Sequence, residues 1–226
     1  MIELKHVTKL YDGINGVKDI NLCINSRETI SLIGPNGAGK STLIKLLCGI
    51  LHEDQGEILV NQGIRADISI RKEIGYMPDI VRLSDKITAW ELLQLVSDFK
   101  FKGQEKAYID RMVSRYHLEG QMKKRFSALS LGTQKKVSLI VSMMGEPEIL
   151  ILDEPTTGLD TEGILTLKDD ILQAKARGGC IIISSHILDF LGAVADRNVF
   201  LQRGQVVRIC DSESNLDDIY REIYMS

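Results

Sequence analysis

The stretch Gly34-Pro35-Asn36-Gly37-Ala38-Gly39-Lys40-Ser41-Thr42 decides how this chain of 226 residues is organised. It matches the pattern G-x-x-x-x-G-K-[ST], a glycine-rich loop between a strand and a helix. Glycines let the backbone curl with its N–H groups pointing inward, where a Cβ would block a phosphate. Lys40 offers a compact positive charge to the terminal phosphates, and the Ser41 hydroxyl is an oxygen ligand of the kind that Mg²⁺ prefers. The stretch therefore predicts a phosphate site.

The residues on either side support this prediction. Residues 30–33 read as a buried strand, and residues 43–47 read as a helix that ends near Gly49. The N-terminus of that helix would face the phosphates, where its dipole favours anions. A glycine-rich turn that binds nothing is the alternative, and it accounts for neither the strand–loop–helix order nor the Lys-Ser pair.

Length and composition indicate an ordinary globular protein of one domain, with or without an inserted lobe. The net charge of -3 gives no general basic field, so no nucleic-acid partner is expected. The N-terminus is charged where a signal peptide would be apolar, and no apolar run reaches the length of a membrane span. We expect a cytoplasmic protein that reaches the inner face of the cell membrane only through a partner. Four scattered cysteines predict buried, reduced thiols.

The order of strand and helix patterns predicts an α/β fold. Residues 2–33 alternate as strands with turns, and residues 149–152 and 180–183 are continuous apolar strands of the kind buried on both faces of a parallel sheet. We predict a P-loop NTPase core with a mostly parallel sheet, an N-terminal antiparallel β subdomain and an inserted helical lobe. Residues 1–79 and 146–226 are assigned to the core, and residues 80–145 to the lobe.

Apolar spacing predicts which helix faces are buried. Thr88 and Glu91 form a capping box at the start of the lobe. The expected apolar positions of the first lobe helix are Trp90, Leu93, Val96 and Phe99, and those of the second are Ile109, Met112, Val113 and Tyr116. A core helix should bury Ile164, Leu167, Ile171 and Leu172, and a last helix should present one stripe over residues 216–224.

Two acids follow the apolar strand at residues 149–152. In a P-loop NTPase this is the Walker B position, where Asp153 would hold Mg²⁺ opposite Ser41. Glu154 would polarise the attacking water as general base. Taken alone, the pair could be an acidic turn. The acidic turn is the weaker alternative, because it would have to occur by chance in the same chain as an independent phosphate loop.

The segment Ser130-Leu131-Gly132-Thr133-Gln134 opens a helical pattern shortly before that strand. A serine hydroxyl, a glycine and free N–H groups at a helix start can form a second anion site. An ordinary N-cap is the alternative.

The order of these motifs resembles the nucleotide-binding domain of ATP-binding cassette (ABC) transporters over essentially the whole chain. Residues 129–134 are similar to the family signature L-S-G-G-Q, and Gly158-Leu159-Asp160 is similar to its D-loop. The resemblance implies that Tyr11 stacks on adenine and that His186, the switch histidine after Ser184-Ser185, contacts the γ-phosphate.

Two departures from the family pattern affect these assignments. Asp79 stands where the family usually has Gln, and aspartate brings a charge near the phosphates. The signature also reads Ser-Leu-Gly-Thr-Gln. Alignment on Leu129-Ser130 leaves one extra residue before Gln134, whereas alignment on Gly132 and Gln134 makes Thr133 extra. Variants of this form resemble single-domain exporter subunits, which is a fold-level analogy.

Together, the motifs and the resemblance imply a site for ATP and Mg²⁺. The catalytic residues would be Glu154, His186 and Lys40. The Mg²⁺ ligands would be Ser41, Asp153 and Asp79. The nucleotide-contacting residues would be Tyr11, Gly34, Asn36, Gly37, Ala38, Gly39, Lys40, Ser41, Thr42, Ser130, Gly132, Gln134 and Asp160.

The resemblance implies an ATPase subunit that powers a transmembrane permease subunit, exporter-like, for peptides, drugs or similar small molecules. A second ABC subunit, expected to be an identical copy, would close head-to-tail around two ATP molecules. Residues 79–90, including Arg82 and Asp85, should dock the permease. Two alternatives stay open: a soluble ABC ATPase acting on nucleic acid or ribosomes, and a regulatory ATP-binding module. The single compact cassette argues against the first, and Glu154 against the second.

Overall fold

The computed structural model describes residues 1–61, 64–65, 73–81 and 86–225. The chain begins with two long antiparallel strands, β1 (Ile2–Tyr11) and β2 (Asn15–Ile24). With β4 (Gln55–Val60) and β5 (Ile64–Arg65) they form an antiparallel sheet in the order β2-β1-β4-β5. The predicted N-terminal antiparallel β subdomain is therefore present.

A bulge in β1 explains why its buried residues do not alternate strictly. Ile2, Leu4 and Val7 are buried. In a regular strand the next buried position after Leu4 would be residue 6, so the strand contains one extra residue before Val7. The register against β2 shifts between Leu4 and Val7, and His6 has a φ of 51°. The inserted residue turns Val7 instead of His6 towards the core.

The second sheet has six strands in the order β10-β9-β3-β8-β7-β6. They are β3 (Thr29–Ile33), β6 (Ile74–Met77), β7 (Ile149–Asp153), β8 (Cys180–Ser184), β9 (Arg197–Gln202) and β10 (Gln205–Asp211). All neighbours are parallel except the β9–β10 hairpin. Strands β3, β7 and β8 are buried at every position, as their uninterrupted apolar runs predict.

Helices cover both faces of this sheet. They are α1 (Lys40–Leu47), α2 (Ala89–Phe101), α3 (Lys106–Arg115), α4 (Leu131–Met143), α5 (Thr161–Ala176), α6 (Leu188–Val194) and α7 (Leu216–Tyr224). One hydrophobic core lies between the two sheets and includes α1. The other joins α2 to α7 with the opposite face of the six-stranded sheet. The α/β P-loop fold is confirmed.

Helix α2 begins as predicted and buries Leu93, with Trp90 and Val96 packed against the core. Thr88 Oγ1 accepts a hydrogen bond from the Glu91 N–H, and the Glu91 carboxylate accepts one from the Thr88 N–H at 2.8 Å. The assignment of Phe99 to the buried face is wrong, because its exposed fraction is 89%. Leu93 and Ser97 are buried. Phe99 follows Ser97 by two residues, about half a helical turn, and so points to the opposite side.

Two other residues that were expected to be buried are exposed, and in each case an adjacent residue is buried. Leu172 was expected on the buried stripe of α5, but it is 41% exposed, while Ile171 beside it is fully buried. Cys23 was expected to be a buried thiol, but it is exposed on β2 between the buried Leu22 and Ile24. In each case the neighbour on the inward face takes the core position.

No helix in the described ranges is long and apolar enough to cross a bilayer. Arg82 and Asp85, which we expected in the permease-docking segment, lie outside the described residues.

Candidate active site

The carboxyl ends of four parallel strands bring the predicted motifs to one edge of the sheet. Strand β3 runs into the P-loop, β6 is followed by Asp79, β7 ends at Asp153, and β8 leads to His186. The register pairs Asp153 directly with Ser184. In open α/β sheets this edge is the crevice where ligands bind.

Two positions of the P-loop accept only glycine, because atoms of neighbouring strands lie too close for a Cβ. Gly39 has a φ of 108°, and a Cβ on it would lie 2.9 Å from both the Gly16 carbonyl oxygen and Val17 Cγ1. A Cβ on Gly34 would lie 2.5 Å from the Leu201 carbonyl oxygen. The loop is therefore wedged between β2 and β9, so its N–H groups are held in a fixed arrangement.

Lys40 is the first residue of α1 and is buried inside the loop. Its Nζ donates to the carbonyl oxygens of Gly34 at 2.5 Å and Pro35 at 3.3 Å. Burial lowers the pKa of Lys40, and the nearby carboxylates of Glu154 and Asp153 oppose this shift. A phosphate would be a stronger, charged acceptor for this ammonium than either carbonyl.

An open groove of about 380 Å³ runs along the P-loop. Tyr11, with an exposed fraction of 40%, lines it together with Asn15 and Gly16. The rest of the lining consists of the loop and the start of α1, namely Pro35, Asn36, Gly37, Ala38, Gly39, Lys40, Ser41 and Thr42. An exposed aromatic ring beside a phosphate loop can stack on a nucleobase.

Asp153 and Glu154 are buried acids fixed by one serine. The Ser184 hydroxyl donates to Asp153 Oδ1 at 2.6 Å and accepts from the Glu154 N–H at 3.0 Å. Burial raises the pKa of Asp153 and that of Glu154. The pKa of Asp153 is lowered in turn by the hydrogen bond from Ser184.

The carboxylate of Glu154 faces the imidazole ring of His186. Its Oε1 lies 3.2 Å from His186 Nε2, but the two do not meet hydrogen-bond geometry, and this buried oxygen has no hydrogen-bond partner among the described residues. The side chain of His186 is more than half exposed, whereas that of Glu154 is 11% exposed. A buried acceptor without a donor is costly, so the oxygen is suited to receive a ligand or a water molecule.

Asp79 is engaged by Lys135, a residue that sequence reasoning missed. Lys135 Nζ lies 3.1 Å from Asp79 Oδ1 and donates to the Asp79 carbonyl oxygen at 2.6 Å. Direct coordination of Mg²⁺ by Asp79 would therefore compete with an ammonium for the same oxygen. In the described part of the chain, no cluster of three or more His, Cys, Asp or Glu residues could hold a metal ion.

The signature segment forms the N-terminus of α4. The Ser130 hydroxyl accepts the Thr133 N–H at 3.3 Å, as in an N-cap. The Gln134 amide donates to the carbonyl oxygens of Phe126 and Leu129, both at 3.1 Å. Gln134 thus closes the preceding turn with its nitrogen, while Ser130 is exposed at the helix start.

The D-loop packs directly on this segment of the same chain. A Cβ on Gly132 would lie 2.2 Å from the Gly158 carbonyl oxygen, so only glycine fits. Asp160 caps α5 by accepting the Gly163 N–H at 3.0 Å, and its carboxylate pairs with Lys136. The groove along the P-loop is lined by none of Ser130, Gly132, Gln134 or Asp160 within the described chain. The structure thus brings the predicted residues together as two separate groups.

Sequence reasoning missed Ser184, Lys135 and Tyr224 as contributors to the site. Tyr224, on α7, donates from its hydroxyl to the Leu201 carbonyl oxygen at 2.8 Å and to that of Ile33, just before the P-loop, at 3.3 Å. The adjacent Lys135-Lys136 pair reads as a solvated surface, and nothing in its spacing signals that Lys135 is buried.

The family comparison agrees with this geometry. Residues 17–157 match the family described as ABC transporter. The chain therefore belongs to the ABC transporter family. It is an ATP-binding subunit with ATPase activity that serves a membrane transport partner.

Three curated relatives cover nearly the whole chain. The uncharacterized ABC transporter ATP-binding protein YhcH of Bacillus subtilis is 32% identical over 96% of this chain and 72% of its own length. The lantibiotic transport ATP-binding protein SrtF of Streptococcus pyogenes is 30% identical over 97% of this chain and 96% of its own length. The SkfA peptide export ATP-binding protein SkfE of Bacillus subtilis is 30% identical over 92% and 88%.

Two solved structures share the fold. An ATP-binding subunit of an ABC transporter is 31% identical, with a TM-score of 0.85, over 98% of this chain and 92% of its own. The bacterial ABC transporter cassette MJ0796, solved as a dimer, is 26% identical, with a TM-score of 0.84, over 95% and 100%.

Proposed function

We propose that this chain hydrolyses ATP at the edge of its parallel sheet. The P-loop N–H groups and Lys40 would bind the phosphates, and Tyr11 would stack on the adenine ring. Oxygen atoms of Ser41 and Asp153 have the hard-ligand chemistry that suits Mg²⁺, with the remaining ligands coming from phosphate and water. Mg²⁺, when bound, would neutralise charge that develops on the phosphates.

Glu154 is the proposed general base, and the observation that carries the proposal is its buried Oε1, which faces His186 and has no hydrogen-bond partner in the described part of the chain. This oxygen is buried and lies 3.2 Å from His186 Nε2. A water molecule held between the two side chains would lose its proton to Glu154 as it attacks the γ-phosphate, while His186 contacts that phosphate. Hydrolysis would then depend mostly on positioning and on charge stabilisation.

Two copies of the chain are proposed to close head-to-tail around two ATP molecules. The support is the division of the predicted residues into two groups. One group lies along the P-loop and at the carboxyl ends of the neighbouring parallel strands, and the other lies at the start of α4 and α5. In the closed pair, Ser130, Gly132, Gln134 and Asp160 of one copy would face the γ-phosphate held by the other. Asp79 is kept as a candidate third Mg²⁺ ligand in that state.

The transport partner is proposed to be a permease that exports peptides or similar small molecules across the membrane on whose cytoplasmic face this subunit sits. SrtF and SkfE, whose names give lantibiotic transport and peptide export, support this choice. Residues 80–145 would form the lobe that moves on closure, with residues 79–90 in contact with the permease and the remaining residues forming the ATPase core.

The test is peptide-stimulated ATPase activity in proteoliposomes that contain this subunit and the polytopic membrane protein that co-purifies with it. The expected result is ATP hydrolysis that rises with a peptide substrate and ATP-dependent movement of that peptide across the bilayer. Glu154→Gln proteoliposomes serve as the matched control and should show neither. Stimulation by small hydrophilic nutrients and none by peptides would contradict the export proposal.

A further inference from the structure

Lys135 is a lysine buried in the helical lobe, with its ammonium turned towards the catalytic edge. Its exposed fraction is 3%, and it lies five residues after Ser130 on α4. Nζ donates to the carbonyl oxygens of Asp79 at 2.6 Å and Glu154 at 3.0 Å, and it lies 3.1 Å from Asp79 Oδ1. These three acceptors match the three donors of an ammonium, which is what a buried charge needs.

These contacts tie together three parts of the chain that are far apart in sequence. Asp79 follows β6, Glu154 follows β7, and Lys135 belongs to the helix whose N-cap is Ser130. Both backbone groups of Glu154 are consequently held, because Ser184 accepts its N–H and Lys135 donates to its carbonyl oxygen. Glu154 has a φ of 50°, a conformation that non-glycine residues adopt only when their surroundings hold it.

We propose that Lys135 is a positioning residue for ATP hydrolysis: it holds the backbone of Glu154 and balances the charge of Asp79. The inference rests on the proposed role of Glu154 as general base. The linkage also makes the signature end of α4 and the catalytic acid one mechanical unit, so a shift of the helix is transmitted to Glu154 through one side chain.

The electrostatics of the site supports the second half of this role. The Lys135 ammonium lies 3.1 Å from Asp79 Oδ1, and β7 beside β6 ends at Asp153 and is followed by Glu154. Lys135 therefore offsets the extra negative charge that Asp79 brings to a site already containing Asp153 and Glu154. Glutamine at position 79 would carry no charge to offset.

The test is steady-state ATP hydrolysis by the full chain carrying Lys135→Met, which keeps the length of the side chain and removes its donors and charge. Loss of positioning should lower kcat by about 10- to 100-fold, the scale of a small misplacement of a reacting group. KM for ATP should change by less than about threefold, because the P-loop contacts are untouched. Lys100→Met is the matched control. Lys100 belongs to α2, and its Nζ lies 3.5 Å from the Ile74 carbonyl oxygen. This variant should keep wild-type kcat.

The double variant Asp79→Asn/Lys135→Met separates charge balance from packing. Removing the uncompensated carboxylate should restore kcat several-fold relative to Lys135→Met, an effect that lost helix packing alone would not produce. If Lys135→Met does not fold, Lys135→Leu, which also removes the donors and the charge, is measured by the same criteria.

Wild-type kcat in the folded Lys135 variant, or no recovery in the double variant, would overturn the inference. Glu154→Gln is measured in parallel to separate the two proposals. An inactive Glu154→Gln with a fully active Lys135→Met rejects only the role of Lys135, whereas an active Glu154→Gln rejects the proposed general base itself.

Discussion

Glu154 combines three properties that a general base needs and that no neighbouring acid shares. It is buried, its Oε1 lacks a hydrogen-bond partner among the described residues, and that oxygen lies 3.2 Å from His186 Nε2. Its backbone φ is 50°. A left-handed conformation at a non-glycine residue costs on the order of 1–3 kcal/mol and persists where the surroundings impose it. Here Ser184 and Lys135 supply those surroundings.

Tyr11 tests the nucleotide end of the groove. Tyr11→Ala should weaken binding of ATP and GTP to a similar extent, by about 1–3 kcal/mol, because stacking on a ring does not read the edges of the base. Titration calorimetry with both nucleotides measures this effect, and Tyr11→Phe, which keeps the ring, is the control. Unchanged affinity in Tyr11→Ala would reject the stacking role.

At this scale the sequence predicted the residues whose chemistry follows from a short motif. The P-loop and the Asp153-Glu154 pair were recognised because their residue types occur at a fixed spacing beside a strand. Ser184 and Lys135 were missed because their contacts join positions 19 to 56 residues apart in the chain. Such pairing depends on how strands and helices are arranged, which spacing along one segment does not encode.

Helix α7 acts as a support for the P-loop. The Tyr224 hydroxyl donates to the Leu201 carbonyl oxygen at 2.8 Å and lies 3.3 Å from that of Ile33. The Tyr224 ring packs against Tyr220 with ring centroids 4.7 Å apart, and burial raises the pKa of Tyr224 to about 12. The hydroxyl thus stays neutral and donates at any physiological pH.

Tyr224→Phe should remove this support while keeping the ring packing. We expect a loss of about 1 kcal/mol in the free energy of unfolding, the usual net value of one hydrogen bond. For a chain of this size that corresponds to a melting temperature lower by about 2–4 °C in calorimetry. The control is Tyr220→Phe, whose hydroxyl has no hydrogen bond within the described residues. An equal effect of both variants would show that the hydroxyl of Tyr224 adds nothing.

Asp170 links α5 of the core to the end of α3 in the helical lobe. It is buried and accepts hydrogen bonds from Arg115 Nε at 2.8 Å and from the Tyr116 hydroxyl at 2.7 Å. Asp170→Ala would leave both donors unpaired. We expect a loss of about 3 kcal/mol in the free energy of unfolding, the lower end of the range for breaking a buried ion pair, because a third of the Arg115 side chain is exposed.

Urea unfolding followed by circular dichroism measures that loss. Asp110→Ala, which removes an exposed carboxylate paired with Lys106 on α3, is the control and should cost less than about 1 kcal/mol. A similar small cost at Asp170 would mean that the two parts of the chain are held together by apolar packing alone.

Helices and strands were predicted correctly from the sequence where their apolar or capping pattern is regular. The buried strands β3, β7 and β8 and the capping box of α2 were predicted correctly. The hairpin of β9 and β10 and the short helix α6 were not, because β10 lies at a sheet edge and its residues are mostly exposed, without a regular apolar pattern. Phe99 and Leu172 were misassigned because helical spacing identifies an apolar stripe but does not show whether the residues at the edge of that stripe are buried.

At the scale of the whole molecule, the predicted nucleotide-contacting residues do not form one site. Within the described ranges, the signature serine does not line the groove along the P-loop, and the start of α4 packs instead against the D-loop of its own chain. A second copy that supplies Ser130 would complete the site. ATP would then bind both copies, and hydrolysis would release them, a two-state change biased by the ligand.

The most direct test is the assembly state of Glu154→Gln with and without Mg-ATP, measured by size-exclusion chromatography with light scattering. The variant keeps the shape of the side chain and loses the proton acceptor, so hydrolysis should fall by about 10²–10⁴-fold while ATP binding survives. We predict a dimer in ATP, a monomer in ADP, and no dimer when Ser130→Arg is added, because the bulky side chain fills the partner's γ-phosphate site. A Glu154→Gln protein that binds ATP, does not hydrolyse it and remains monomeric at high concentration would contradict the closure of two identical copies around ATP.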